Sequence, residues 1–92
     1  MTKQQYLASK MNEAVFLNCA RWGYRGIVKE VSADAVLLSN PFLIFDSDSY
    51  TSKEVKEEYS IPSDLLVALD ALEIVCQPVW AFYGYDETKG EK

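Results

Sequence analysis

The order of apolar and polar positions divides the chain into one short helix and a series of strands. Leu7 and Met11 recur at a helical interval behind Thr2 and Gln5, which have the spacing of a capping box. We therefore predict a helix over about residues 3–12. From residue 14 onwards apolar positions alternate, and β-branched and aromatic residues become frequent, which predicts strands.

The first three strands are predicted within residues 14–46. Gly26 lies inside the middle strand, where a glycine often marks a sharp bend or a close approach of two backbones. Pro41 interrupts the third strand, because proline cannot donate to a strand ladder and belongs at an edge or a bulge. The apolar run 42–45 is too continuous for a half-exposed strand, so we expect it to be covered on both faces.

The second half of the chain has a less regular pattern. Residues 47–62 are polar and charged, and predict a variable loop or a short solvated helix around 52–58. Residues 64–76 predict the last two strands, with a break at Asp70, although their apolar spacing also fits a helix. The tail, 78–92, is aromatic at first and charged at its end.

The composition is that of a single small domain. Ninety-two residues, 49% hydrophobic and 25% charged, allow one core over 1–92. No apolar run approaches the roughly 20 residues that span a bilayer, so we expect no membrane partner. The N-terminus has no apolar segment of the signal-peptide kind, which makes the cytoplasm the expected compartment.

The sequence contains few side chains that are suited to catalysis or to metal binding. The chain has no histidine and only two cysteines, Cys19 and Cys76, which we interpret as reduced apolar residues. Neither a metal site nor a cofactor is predicted. Carboxylate pairs occur at Asp46 with Asp48, and within 57–58, but they lie in the polar segment, where nothing would desolvate them. We therefore expect no enzymatic activity.

Two stretches resemble the motifs of a known family. GIVKEVSADAVLL, 26–38, and VALDALEIV, 67–75, are similar to the first and second motifs of the Sm-like proteins, which include the Sm and LSm proteins and related bacterial RNA chaperones. The resemblance implies a mainly β fold, in which a short N-terminal helix precedes a strongly bent five-stranded antiparallel barrel of the SH3-like type. It also favours strands over a helix at 65–75.

The positions that bind RNA in that family do not match here. The family's first motif has an acidic residue followed by asparagine or an aromatic in its turn, where this chain has Ser32, Ala33, Asp34 and Ala35. The family's second turn usually carries a basic residue, whereas Asp70 stands in the corresponding turn of this chain. Because a carboxylate repels phosphate, the resemblance extends to the fold and not to RNA binding.

The function that we expect is assembly or protein interaction. Sm-like domains form rings by pairing the edge strands of neighbouring subunits, so the resemblance implies a homo-oligomer and allows a ring. The tail adds aromatic side chains of a kind that is common at interfaces. These possible interface residues are Trp80, Phe82, Tyr83 and Tyr85. The alternative is that they cover the barrel of their own chain. The sequence does not identify a protein partner.

RNA or DNA binding is the alternative function. It would use basic side chains interleaved with aromatic ones, which combine cations with stacking surfaces. The residues concerned are Arg21, Trp22, Tyr24, Arg25 and Lys29. Against it, the chain has a net charge of −5, with nine basic and fourteen acidic residues. The simpler interpretation is that these cations are solvated strand residues.

Overall fold

A computed structural model of the chain describes residues 1–20, 22–47, 55–82 and 84–85, with the backbone alone at 46–47 and 55–56. The described residues form a short α-helix, six β-strands and two 3₁₀ turns. Their bounds are α1 Lys3–Ala8, β1 Ala14–Cys19, β2 Gly23–Val31, β3 Ala35–Ser47, β4 Val55–Ser60, β5 Leu65–Ala68 and β6 Leu72–Cys76, with turns at Leu69–Ala71 and Val79–Phe82. The domain is mainly β, as predicted, with six strands where five are predicted.

The helix α1 begins as predicted and ends earlier. The Thr2 hydroxyl accepts a hydrogen bond from the Gln5 N–H at 3.0 Å, and the Gln5 side chain accepts one from the Thr2 N–H at 2.8 Å. The helix ends at Ala8. The Ser9 hydroxyl then donates to a carbonyl of the last turn, and Asn12 has a positive φ of 66°, which is incompatible with helix. The predicted end at residue 12 is therefore wrong.

All six strands belong to one antiparallel sheet, in the order β4-β3-β2-β1-β6, with β5 paired to β3. The strand β3 is long enough for two partners, because its residues 35–38 pair with β5 and its residues 42–47 pair with β4. Since β2 occupies the other edge of β3, β4 and β5 follow each other along one edge. Among the described residues no pairing joins β6 to β4 or β5, so the sheet is not closed.

The pairing of β2 with β3 is irregular where the sequence predicts it. The register shifts between Arg25 and Ile27, around Gly26. A Cβ atom on Gly26 would lie 3.0 Å from the Cβ of Leu38, so the predicted close approach is confirmed. The strand β3 continues through Pro41, which lies at this irregularity and is preceded by a residue with φ of 49°. The proline therefore occupies a bulge, as its missing N–H requires.

The strand β4 lies within the segment 47–62 that is predicted to be a variable loop. It pairs antiparallel with the C-terminal part of β3, so the alternative of a helix over 52–58 is wrong from residue 55 onwards. Residues 48–54 lie outside the described part of the chain. The charged sequence VKEEYS has a weak strand propensity of its own, and pairing with β3 decides its conformation. Charged residues are also typical of an edge strand.

The last two predicted strands, β5 and β6, are confirmed, and a 3₁₀ turn separates them at the predicted break. Leu66 is 69% exposed and its neighbour Val67 is 7% exposed, which is the alternation of a strand. The Lys3 ammonium group donates to the carbonyl oxygens of Leu69 at 2.8 Å and Leu72 at 3.0 Å. These bonds tie the start of α1 to the turn between β5 and β6.

Two apolar clusters lie on opposite faces of β1. Val15 and Leu17 belong to the larger cluster and Phe16, between them, to the smaller. The buried members of the larger cluster are Leu7, Val15, Leu17, Val28, Val36, Leu38, Val67, Leu69 and Leu72. Those of the smaller are Phe16, Ile44 and Trp80. Because β1, β2, β3, β5 and β6 all contribute to the larger cluster, the sheet curves around it, and residues 79–82 cover the smaller one.

Candidate functional site

The aromatic side chains of the tail lie mostly inside their own chain. Trp80 is fully buried, with its ring centroid 4.8 Å from that of Phe16, and Tyr85 is 8% exposed. Phe82 is half-buried, and Tyr83 lies outside the described residues. For Trp80 and Tyr85 the structure therefore matches the alternative in which the tail covers its own sheet. Neither residue offers an exposed ring to a partner.

The predicted basic and aromatic cluster does not form one patch. Neighbouring strand residues point to opposite faces of a sheet, and here Tyr24 packs against the larger apolar cluster while Arg25 lies on the other face. Lys29 and Trp22 are exposed, and Arg21 lies outside the described residues. The interpretation of Arg25 as a solvated cation is wrong, because only 1% of the residue is exposed.

The guanidinium group of Arg25 is the centre of a buried polar cluster. Its Nε and Nη2 donate to the two carboxylate oxygens of Glu58 at 2.7 and 2.8 Å, and its Nη1 donates to the carbonyl oxygen of Ala81 at 3.2 Å. Its Cζ lies 4.4 Å from the ring centroid of Phe42 and 4.9 Å from that of Tyr85. The charge of Arg25 is thus compensated within the chain, and the group is not available to a phosphate.

Tyr85 connects this cluster to the irregular part of β3. Its hydroxyl donates to the carbonyl oxygen of Asn40. The pKa of Tyr85 is raised to about 12, mainly because the phenol is buried; the Arg25 cation lowers this pKa and the Glu58 carboxylate raises it. At neutral pH the phenol is therefore a neutral hydrogen-bond donor, and its role is to hold residues 84–85 against β3.

The carboxylates considered for acid–base catalysis do not form a pair in the described structure. Glu58 is bound to Arg25, whereas Glu57, next to it, is exposed. Adjacent residues of β4 point to opposite faces, so the two carboxylates diverge. The side chains of Asp46 and Asp48 lie outside the described part of the chain. Glu58 therefore has a structural partner, and its role in this arrangement is to neutralise a buried cation.

A cavity of about 450 Å³ lies beside Tyr85. Its walls are the irregular part of β3, the end of β4 with the loop 61–64, and Gly84. The Ile61 N–H donates to the Pro41 carbonyl at 2.9 Å and holds the loop in place. The volume is that of a small-molecule site, but its polar groups are mainly serine hydroxyls and the carboxylate of Asp64, on an exposed stretch. Such a lining provides hydrogen bonds without a catalytic pair.

Three exposed aromatic side chains cross the other face of β3 and β4. Trp22, Phe45 and Tyr59 are 41%, 44% and 57% exposed, and we call them the aromatic strip. The centroid of Phe45 lies 5.4 Å from that of Trp22 and 5.0 Å from that of Tyr59, with interplanar angles of 87° and 86°. The expectation that 42–45 is covered on both faces is therefore wrong at Phe45. Sequence reasoning included Trp22 alone, because the strip depends on the pairing of β4.

The two ends of the sheet are the second exposed feature. In the described part of the chain, β4 and β6 each have one neighbour, so one edge of each strand is without a β partner. The strand β6 also carries Ile74, which is 41% exposed. An unpaired edge presents backbone donors and acceptors to another strand. This arrangement is suited to strand addition.

Among the described residues, no group of three or more potential metal-binding side chains comes together, and Cys19 and Cys76 are not joined by a disulfide. Within the same residues, no helix has the length and apolar character needed to cross a membrane. No protein-family model matches the chain, and no curated protein matches its sequence.

Proposed function

We propose that this chain is a non-enzymatic, Sm-like assembly module that forms a homo-oligomeric ring through the ends of its sheet. The observation that carries the proposal is that both terminal strands, β4 and β6, have an edge without a partner in the described residues. Further support comes from the order of a short helix, an antiparallel sheet and a 3₁₀ turn before the last strand, together with the two motif-like stretches.

A contact between β4 of one subunit and β6 of the next is heterologous. It repeats around an axis until the ring closes, and then the free edges of β4 and β6 each have a partner. The exposed Ile74 on β6 would lie inside such a contact, where it loses contact with water. The proposed contact thus gives the edge backbone groups hydrogen-bond partners and also buries apolar surface.

The experiment is to measure the mass of the chain by size exclusion coupled to light scattering at tens of micromolar. We expect a multiple of the subunit mass. Ile74→Lys, which adds a charge to the β6 edge, should lower that mass towards the monomer. Val79→Lys is the matched control, because Val79 is 47% exposed but lies in a 3₁₀ turn and belongs to no strand. A monomeric mass for the unmodified chain contradicts the proposal.

A further inference from the structure

We infer that the aromatic strip, Trp22, Phe45 and Tyr59, docks a proline-rich peptide segment that carries a basic residue. Three large aromatic side chains in mutual contact remain substantially exposed although the smaller cluster, with Trp80, is fully covered. Exposed apolar surface of this kind marks an interaction site. The inference does not depend on assembly, because strand addition at β4 uses its backbone edge, whereas the strip lies on a face.

The dimensions of the strip fit an extended peptide. The two centroid separations, 5.4 and 5.0 Å, give an end-to-end span of about 10 Å at most. One turn of polyproline II helix is three residues long and rises about 9 Å. Proline rings at positions i and i+3 of such a helix would therefore reach the two outer aromatic side chains at the same time.

The relative orientation of the rings favours this ligand over flat ones. Both ring pairs stand nearly at right angles, at 87° and 86°, so the strip exposes ring edges as well as ring faces. A stacked base would prefer a flat, open platform of ring faces, whereas a compact pyrrolidine ring packs against either a ring edge or a ring face. Polyproline segments also lose little conformational entropy on binding, which suits a small docking surface.

The acidic charge of the chain favours a basic residue in the peptide. On β4, Glu57 lies two residues from Tyr59 and thus on the same face, where it is exposed. The chain has a net charge of −5, which disfavours phosphate-rich ligands and favours a lysine or arginine beside the prolines. A second copy of this chain is a poor occupant, since its three prolines, Pro41, Pro62 and Pro78, are far apart in the sequence.

The test uses the fluorescence of Trp22 in the full chain. Because Trp80 is fully buried and Trp22 is 41% exposed, quenching by acrylamide reports mainly on Trp22. A ten-residue peptide with prolines at i and i+3, one arginine and no aromatic residue should protect Trp22 from quenching. Replacing the prolines by alanine should weaken binding about tenfold, and replacing the arginine by glutamate should weaken it further as salt is lowered.

Variants locate the site. Tyr59→Ala should weaken peptide binding about tenfold, the loss expected for an anchoring aromatic residue. Glu57→Gln should weaken it severalfold and reduce its dependence on salt. Leu66→Ala is the matched control, since Leu66 is 69% exposed but lies on β5, paired with the opposite end of β3. It should leave binding unchanged, and circular dichroism confirms that each variant folds.

Three results would overturn the inference. In the first, the peptide and its alanine counterpart protect Trp22 equally. In the second, protection appears without peptide as protein concentration rises, which assigns the strip to a second copy. In the third, a uridine-rich oligonucleotide protects Trp22 and the peptide does not. The mass of the chain and of Ile74→Lys is measured separately, so failure of the assembly proposal is distinguishable from failure of this one.

Discussion

Replacing Glu58 by glutamine leaves the guanidinium group of Arg25 buried without its counter-ion. Removing one partner of a buried ion pair costs about 3–5 kcal/mol, because the remaining charge keeps its desolvation penalty. The side chain of Glu58 is 18% exposed, and glutamine retains one acceptor oxygen, so we expect the lower end of this range, about 3 kcal/mol. For a domain of this size that loss lowers the melting temperature by about 12–24 °C.

The measurement is equilibrium unfolding in urea, followed by the fluorescence of the buried Trp80. Glu57→Gln is the matched control, because it removes the same charge from the adjacent, exposed position and should change the free energy of unfolding by less than about 0.5 kcal/mol. In the double variant Arg25→Met with Glu58→Gln, no charge is left buried, so part of the stability should return.

The two glutamates differ in burial, since Glu58 is bound to the buried Arg25 and Glu57 is exposed. If Glu58→Gln and Glu57→Gln lower the free energy of unfolding equally, the Arg25–Glu58 pair is not buried in solution. A loss from Glu58→Gln that falls strongly as salt is raised would lead to the same conclusion, since a buried pair is only weakly screened.

Three further variants test other contacts. The pKa of Tyr85 in the folded protein, about 12, lies above the unfolded value of about 10, so the stability of the unmodified protein falls as pH rises from 10 towards 12. Tyr85→Phe should remove this part of the loss, which unfolding at pH 9 and at pH 11 measures. Gly23→Ala should lower the free energy of unfolding in urea by about 1–3 kcal/mol, because the added Cβ would lie 2.6 Å from the buried Phe16 ring. An unchanged free energy of unfolding would contradict this packing. Lys3→Met should lower the free energy of unfolding by about 1–3 kcal/mol, because the hydrogen bonds to two backbone carbonyls are lost. Lys29→Met, at an exposed position, should leave the free energy of unfolding unchanged.

Local signals in the sequence were sufficient for the elements that they directly specify. The capping box of Thr2 and Gln5, the bulge at Pro41 and the close approach at Gly26 each follow from the chemistry of one or two residues. The alternation of β5 and β6, with a turn between them, was also predictable, although the resemblance to Sm-like proteins was needed to exclude a helix.

The tertiary structure decided which faces are covered. The strand β4 forms because the long β3 has an edge to pair, and its own charged sequence does not indicate this. That pairing brings Glu58 to Arg25, and Tyr59 to Phe45, so it creates both the buried ion pair and the aromatic strip. Alternation along a strand shows which side chains share a face. Whether that face meets protein or water depends on segments distant in the chain, which is why Arg25 is buried and Phe45 is exposed.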